Sequence, residues 1–289
     1  MKTLNFATWN ILGDDLERIS RLNIISREIK DLDFVAIQEV VVDEQSNTNT
    51  ADYLSQLSGL KIASCISGEI SNLITGQTQG TAILSSLEIV NSNLTISAPP
   101  FLVEKTSQEY RNYAAAILRT PNNRLILVCS VHLPWGAHNE VRRLEHSLYI
   151  DSQITKIMQT LPEGSIAILT GDFNCTPNSE SIRFLKGETV YSDNSTFWVD
   201  IWAEKGKGPG FTFDPSFNNS NLNETAYRSG ITAPELMPPR RLDFILVKGW
   251  VFGKPGSPLK TELLGRKPNS KGIFASDHFG VHAEIWNPD

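Results

Sequence analysis

The stretch ILTGDFNCTP, residues 168–177, places an acid and an amide, Asp172 and Asn174, two residues apart just after the apolar run Ile166, Ala167, Ile168 and Leu169. Gly, Asp, Asn and Pro are turn formers, so a turn alone would account for this one stretch. Five other apolar runs carry similar chemistry at an end. LNFATWN ends at Asn10, DFVAIQE at Glu39 and LILVCSVHL at His132, while RRLDFILV carries Asp243 near its start and ASDHFGVHAEI starts with Asp277 and His278. Six strand ends carry acids, amides or imidazoles, and the charged groups among them would repel one another at the ends of one sheet unless something binds them. The chemistry they suggest is metal-assisted hydrolysis of a phosphate ester. Oxygen ligands suit Mg²⁺ or Mn²⁺. A carboxylate beside an amide can hold one water, with Asp172 accepting its proton and Asn174 orienting it. An imidazole facing the phosphate can donate to a non-bridging oxygen, and a carboxylate behind it would fix its tautomer.

Strands must deliver these groups. The apolar pattern predicts strands over 3–9, 34–38, 60–66, 79–85, 88–97, 165–170, 242–248, 258–264 and 279–286, with helices over 15–31, 48–58, 139–160 and 179–186. YRNYAAAILRT and RLILVCSVHL flank the turn signal PNN and read as a hairpin. Residues 187–240 read as irregular, and connections of that length are often functional. Consecutive, hairpin-linked strands exclude a purely doubly wound sheet and fit two sheets packed face to face with helices outside.

In this order, TWN, QE, HL, GDFN, LDF and SDHFG resemble the endonuclease/exonuclease/phosphatase superfamily, which includes DNase I, abasic-site endonucleases, deadenylases, neutral sphingomyelinases and inositol-polyphosphate 5-phosphatases. The resemblance spans residues 5–286. It implies one α/β domain over 1–289, built as a four-layer α/β/β/α sandwich of two packed mixed sheets with outer helices. It also implies that Asn10 and Glu39 form the metal-site pair, with Glu39 the direct ligand of Mg²⁺ or Mn²⁺, and that Asp277 reaches metal-bound water or a second ion. Asp172 matches the water-activating aspartate, Asn174 its companion, His278 the phosphate-facing histidine and Asp243 the carboxylate that orients it. His132 matches the second histidine of the branch that reads HL, whose glutamate partner is not identifiable in the sequence. GFTFDPSFNNSNL, residues 210–222, followed by RRLDFILV, resembles the 5′-tyrosyl-DNA phosphodiesterase branch and, more distantly, the deadenylases. That likeness puts Thr212 and Asp214 beside the phosphate. Phe244 departs from it, standing where that branch carries an arginine.

A net charge of −6 argues against a protein that coats long duplex DNA. Residues 240–271, however, carry eight basic side chains, including Arg240 and Arg241, against Asp243 and Glu262. The stretch is either a solvated surface or a field that draws phosphate, and on the second reading Arg241 contacts substrate. Trp135 is a stacking face for a base or a packed loop aromatic. Arg142 and Arg143 supply a phosphate contact or a solvated helix face. Three functions compete: a nuclease or nucleotide phosphodiesterase acting on a single-stranded or end-exposed substrate, a lipid- or soluble-headgroup phosphoesterase, and an inactive binding module. The presence of every required residue type disfavours the last. The second would want an apolar membrane-facing loop, and the longest such stretch is APPFLV, residues 98–103. The three cysteines, none close to another, fit a reducing compartment, and the N-terminus lacks an apolar signal segment, so a cytoplasmic protein with no membrane insertion is expected.

Overall fold

The computed structural model describes residues 3–13, 16–43, 48–71, 78–97, 112–215, 238–249 and 253–288. Residues 98–103 and 216–222, and the first residues of the expected hairpin, lie outside them. Strands β1 (Thr3–Asn10), β2 (Phe34–Asp43), β3 (Thr48–Asn49), β4 (Lys61–Ser71), β5 (Thr78–Ser85), β12 (Pro258–Leu264) and β13 (Gly280–Trp286) form the first sheet. Its order is β12-β13-β1-β2-β5-β4, with the short β3 beside β2. Strands β6 (Glu88–Ser97), β7 (Asn112–Arg119), β8 (Leu125–His132), β9 (Ile166–Asp172), β10 (Trp198–Asp200) and β11 (Asp243–Lys248) form the second, in the order β10-β11-β9-β8-β7-β6. Both sheets are mixed. Each has one parallel pair, β1 with β2 and β8 with β9, amid antiparallel neighbours.

Helices α1 (Arg18–Ile29) and α3 (Glu140–Met158) are the crossovers that make those pairs parallel. Leu22, Ile25 and Ile29 recur at helical spacing on α1 and pack on the outer face of the first sheet with Val35, Ile37 and Leu54 of α2 (Thr50–Ser58). Asn49 caps α2 by accepting from the Ala51 N–H. Leu144, Ile150 and Ile154 of α3, with Ile182 and Phe184 of α4 (Glu180–Leu185), cover the outer face of the second sheet. Between the sheets, Phe6, Phe34, Ile83 and Val281 meet Ala116, Val128, Ile168 and Ile245. The layers therefore run α/β/β/α. Strand β9 is covered on both faces, which explains why its run is continuously apolar rather than alternating.

Most expected strands and helices correspond to observed ones within a few residues at their ends, but β2 runs to Asp43 rather than 38, β4 to Ser71 rather than 66, and β3 takes the first two residues of the expected 48–58 helix. The expected irregular connection, however, holds β10 and the one-turn helix α5 (Ile201–Lys205). Trp198 is buried there, and Asp200 caps α5 from the Trp202 and Ala203 N–H groups. A three-residue strand is too short to leave a periodic signal. Among the described residues, no helix is long and apolar enough to cross a membrane.

Candidate active site

Parallel pairing sends the carboxyl ends of β1, β8 and β9, and the bulged later half of β2, toward one end of the sandwich, so Asn10, His132, Asp172 and Glu39 gather there. Register completes the group. Asp243, opening antiparallel β11, sits directly opposite Asp172, and Asp172 lies opposite His132 on the other side. His278 precedes β13, which runs antiparallel to β1.

Two backbone irregularities aim the carboxylates. Glu39 is the extra residue of a bulge where β2 slips against β5 between Gln38 and Val40, and its φ of 60° is left-handed. Before Asp172, Gly171 has φ 141°, and a Cβ there would lie 2.0 Å from the Val131 carbonyl oxygen. Only glycine lets β9 approach β8 this closely.

Asn10 links the two acids. Its Nδ2 donates to Glu39 Oε1 at 2.9 Å and to Asp172 Oδ2 at 3.0 Å, while its Oδ1 accepts the Leu12 N–H at 3.1 Å. Both amide hydrogens are engaged, so Asn10 spaces the acids, while its Oδ1, which accepts one N–H, keeps a second lone pair with which it could join Glu39 at a cation. Glu39 Oε2 accepts the Gly13 N–H at 2.8 Å. His132 Nε2 lies 3.6 Å from Asp172 Oδ2 and 3.9 Å from Glu39 Oε1.

Asp172 is 1% exposed. Its Oδ1 accepts the backbone N–H of Asn174 at 2.8 Å. Burial pushes its carboxyl up to about 7, Asp243 adds repulsion, and His278 and the hydrogen bonds from Asn10 and Asn174 pull it partly back. The Asn174 amide donates to Leu133 O at 3.0 Å, so this residue ties the end of β9 to the loop after β8. His278 Nδ1 is 2.8 Å from Asp243 Oδ2, and its Nε2 faces Asp172 Oδ2 at 3.9 Å. Burial opposes charging this imidazole, but Asp243, Asp172 and Asp277 outweigh that opposition and hold its pKa well above the ordinary value. Trp9 braces the histidine by donating from Nε1 to the His278 carbonyl at 2.9 Å. Cβ atoms on Gly265 and Gly280 would strike its ring at 2.3 and 2.8 Å. Tryptophan and glycines thus form one packing unit, and nothing in the motif TWN marks Trp9 for that role.

Asp277 accepts from Ser276 Oγ at 3.1 Å, and burial raises its carboxyl above the usual range, with Glu39 adding repulsion against the pull of His278. Among the described residues no Lys or Arg pairs with Glu39, Asp172, Asp243 or Asp277, and Asp243 Oδ1 is buried without a partner. Oxygen-rich, undercompensated negative charge fits a hard divalent cation. Asp172, Asp243 and His278 each place one ligand atom within 4.8 Å of the others, which could also hold a cation. Such a cation would compete with the Nδ1–Oδ2 bond, whereas the Glu39 and Asp277 carboxylates remain available as oxygen donors.

Three expectations land differently, those for Arg241, Thr212 and Arg143. Arg241 does not face substrate. Its guanidinium grips Asp200 through bonds of 2.8 and 2.7 Å and stacks 4.5 Å from the Phe244 ring centroid. An anchor of that kind needed Asp200, which lies in the stretch expected to be irregular. Thr212 is fully buried, and its Oγ1 accepts the Leu242 and Asp243 N–H groups, so it fixes the start of β11 instead of touching phosphate. Asp214 is also buried, at the wall of a cleft of about 590 Å³ that includes Trp202, Phe211, Lys260 and Phe279. Arg143 is buried too, donating to Glu140 and to the carbonyls of Pro134 and Gly136. By doing so it stiffens the loop that presents Trp135, which is 57% exposed. Cys175, beside the site, is buried and accepts from Ser181 Oγ, and burial pushes its thiol up to about 12.

The same architecture recurs in solved structures. TDP2 from C. elegans superposes with a TM-score of 0.69 at 19% identity, over 99% of this chain and 75% of that one. TDP2 from D. rerio, in complex with a single-strand DNA product, gives 0.69 at 18% over 99% and 100%. A functionally unknown conserved protein from Enterococcus faecalis V583 gives 0.69 at 21%, again over 99% and 100%. No curated protein matches the chain by sequence. The two mixed sheets with flanking helices are the DNase I-like fold. The model of the Endonuclease/Exonuclease/phosphatase family matches residues 7–278. With that match running from β1 through the His278 turn, the chain belongs to the endonuclease/exonuclease/phosphatase family of phosphoesterases.

Proposed function

We propose that this protein hydrolyses phosphodiester bonds in a nucleic acid or nucleotide that is single-stranded or has an exposed end. The observation that carries the substrate class is Trp135, an indole 57% exposed on a loop pinned by Arg143 and joined through Leu133 to the Asn174 amide. A rigid aromatic face beside a phosphoesterase site suits an unpaired base. The likeness to D. rerio TDP2 bound to single-strand DNA product supports the same reading.

Chemistry follows from the side chains. Asp172, its carboxyl near neutrality, takes the proton of the attacking water, because a base works best with a pKa close to the working pH. Asn174 holds Asp172 and the Trp135 loop in one frame. His278 is kept cationic and aligned by Asp243, so its Nε2–H faces the negative charge that builds on the phosphate oxygens. Glu39 and Asp277 hold Mg²⁺ or Mn²⁺, with Asn10 spacing Glu39 from Asp172. When bound, the cation supplies fixed positive charge against the phosphate. The test is a rate comparison in Mg²⁺ across single-stranded DNA, RNA, duplex DNA with modified ends, sphingomyelin and inositol phosphates. Oligonucleotides should be cut fastest. If a headgroup substrate is cut far faster, and Trp135→Ala does not alter the order, the nucleic-acid reading falls.

A further inference from the structure

Three buried guanidinium groups, those of Arg21, Arg143 and Arg241, are held by acceptors. Arg21 donates to the carbonyls of Leu16, Ile11 and Leu12, Arg143 to two carbonyls and Glu140, and Arg241 to Asp200. Arg240 differs. Among the described residues its guanidinium has no hydrogen bond or ion pair, and its Nε is buried without an acceptor. It lies over the Phe213 ring, 5.6 Å from the centroid. Phe213 in turn meets the His278 ring edge-on at 5.5 Å between centroids. The backbone fixes this order, because Phe213 bridges both Arg240 and His278.

Leaving a donor of that kind buried and unpaired is unfavourable, and burial lowers the Arg240 pKa. An anion beside the half-buried guanidinium would recover part of that cost through charge-assisted bonds. A guanidinium laid on an aromatic face keeps its N–H edge open, the geometry for a two-pronged bond to phosphate. His278 and Asp172 already face the scissile phosphate in the mechanism above. Arg240 is set off from them by the width of the Phe213 ring, so the anion that it meets is a different one. We infer that Arg240 and Phe213 form a subsite for a second phosphate, the one neighbouring the scissile group in a nucleotide chain. The inference rests on the nucleic-acid reading and adds a requirement to it: the preferred substrate carries a phosphate flanking the bond that is cut.

Dinucleoside monophosphates with and without an added 5′- or 3′-terminal phosphate test it. The wild-type protein should prefer one phosphorylated form in kcat/KM. In Arg240→Gln that preference should fall roughly 10- to 100-fold, the usual scale for charge-assisted hydrogen bonds, and Arg240→Lys should restore part of it. Equal losses on substrates with and without the extra phosphate would overturn the subsite, as would a wild-type protein with no preference. A shared loss would make Arg240 a support for Phe213 and His278. If an aryl phosphodiester is hydrolysed but no dinucleotide is, the nucleic-acid reading has failed. If dinucleotides are cut and Arg240→Gln keeps the preference, only the subsite has failed.

Discussion

Replacing Asp172 by asparagine should slow the enzyme and stabilise the metal-free fold, two effects seldom expected of one change. Asp172 is 1% exposed, and its carboxyl is held at about 7 against an ordinary 3.8. At about 1.4 kcal/mol per tenfold in an equilibrium constant, ionising it inside the fold costs on the order of 4 kcal/mol. Asparagine escapes that cost. It gives back part of the gain, because an amide cannot accept from both Asn10 and Asn174, and because His278 loses a counter-charge. A net gain of ~2 kcal/mol, with ~2.1 cal/mol/K of unfolding entropy per residue over 289 residues, raises Tm by roughly 3 °C. The sign with pH follows from the raised pKa. Wild-type stability from this group is fully present below about 3.8 and is lost as pH rises through about 7. The variant should therefore match wild type in acid and exceed it above neutrality. Calorimetry in chelator across that range, paired with turnover in Mg²⁺, measures both effects. Turnover should drop by roughly 10²–10⁴. A lower Tm above neutrality would show that the Asp172 charge supports the fold, and a rate within about threefold of wild type would move the base elsewhere.

Glu39→Gln should weaken Mg²⁺ binding by calorimetry and abolish turnover while the circular dichroism spectrum is retained; full wild-type activity in excess chelator would refute the metal role. Trp135→Ala should raise KM for an oligonucleotide by roughly 5- to 150-fold, the equivalent of one lost base stack, and a KM unchanged across oligonucleotides would make Trp135 a bystander. Gly171→Ala should destabilise the fold by about 3 kcal/mol or more, because its Cβ enters the Val131 carbonyl; a Tm within a degree or two of wild type would show that β9 can shift away from β8.

How much of this was legible in the sequence depends on the range of the interaction that fixed it. Apolar runs of strand length, the helical patterns over 15–31 and 139–160 and the turn at PNN are local patterns, and they sufficed for two sheets with outer helices. The types of the candidate site groups were legible too, since acids, amides and imidazoles at strand ends are visible residue by residue. Their pairing was not. That Asp243 opposes Asp172, or that Asn10 spans Glu39 and Asp172, is set by register between strands far apart in the chain. Neighbouring arginines were also indistinguishable in sequence. Arg241 turns inward because Asp200, 41 residues away, waits in the buried layer, while Arg240, one residue earlier on an extended backbone, points the other way onto Phe213. Strand alternation gives the two side chains opposite faces, and only the packed structure determines which face holds a carboxylate and which is left open to an anion.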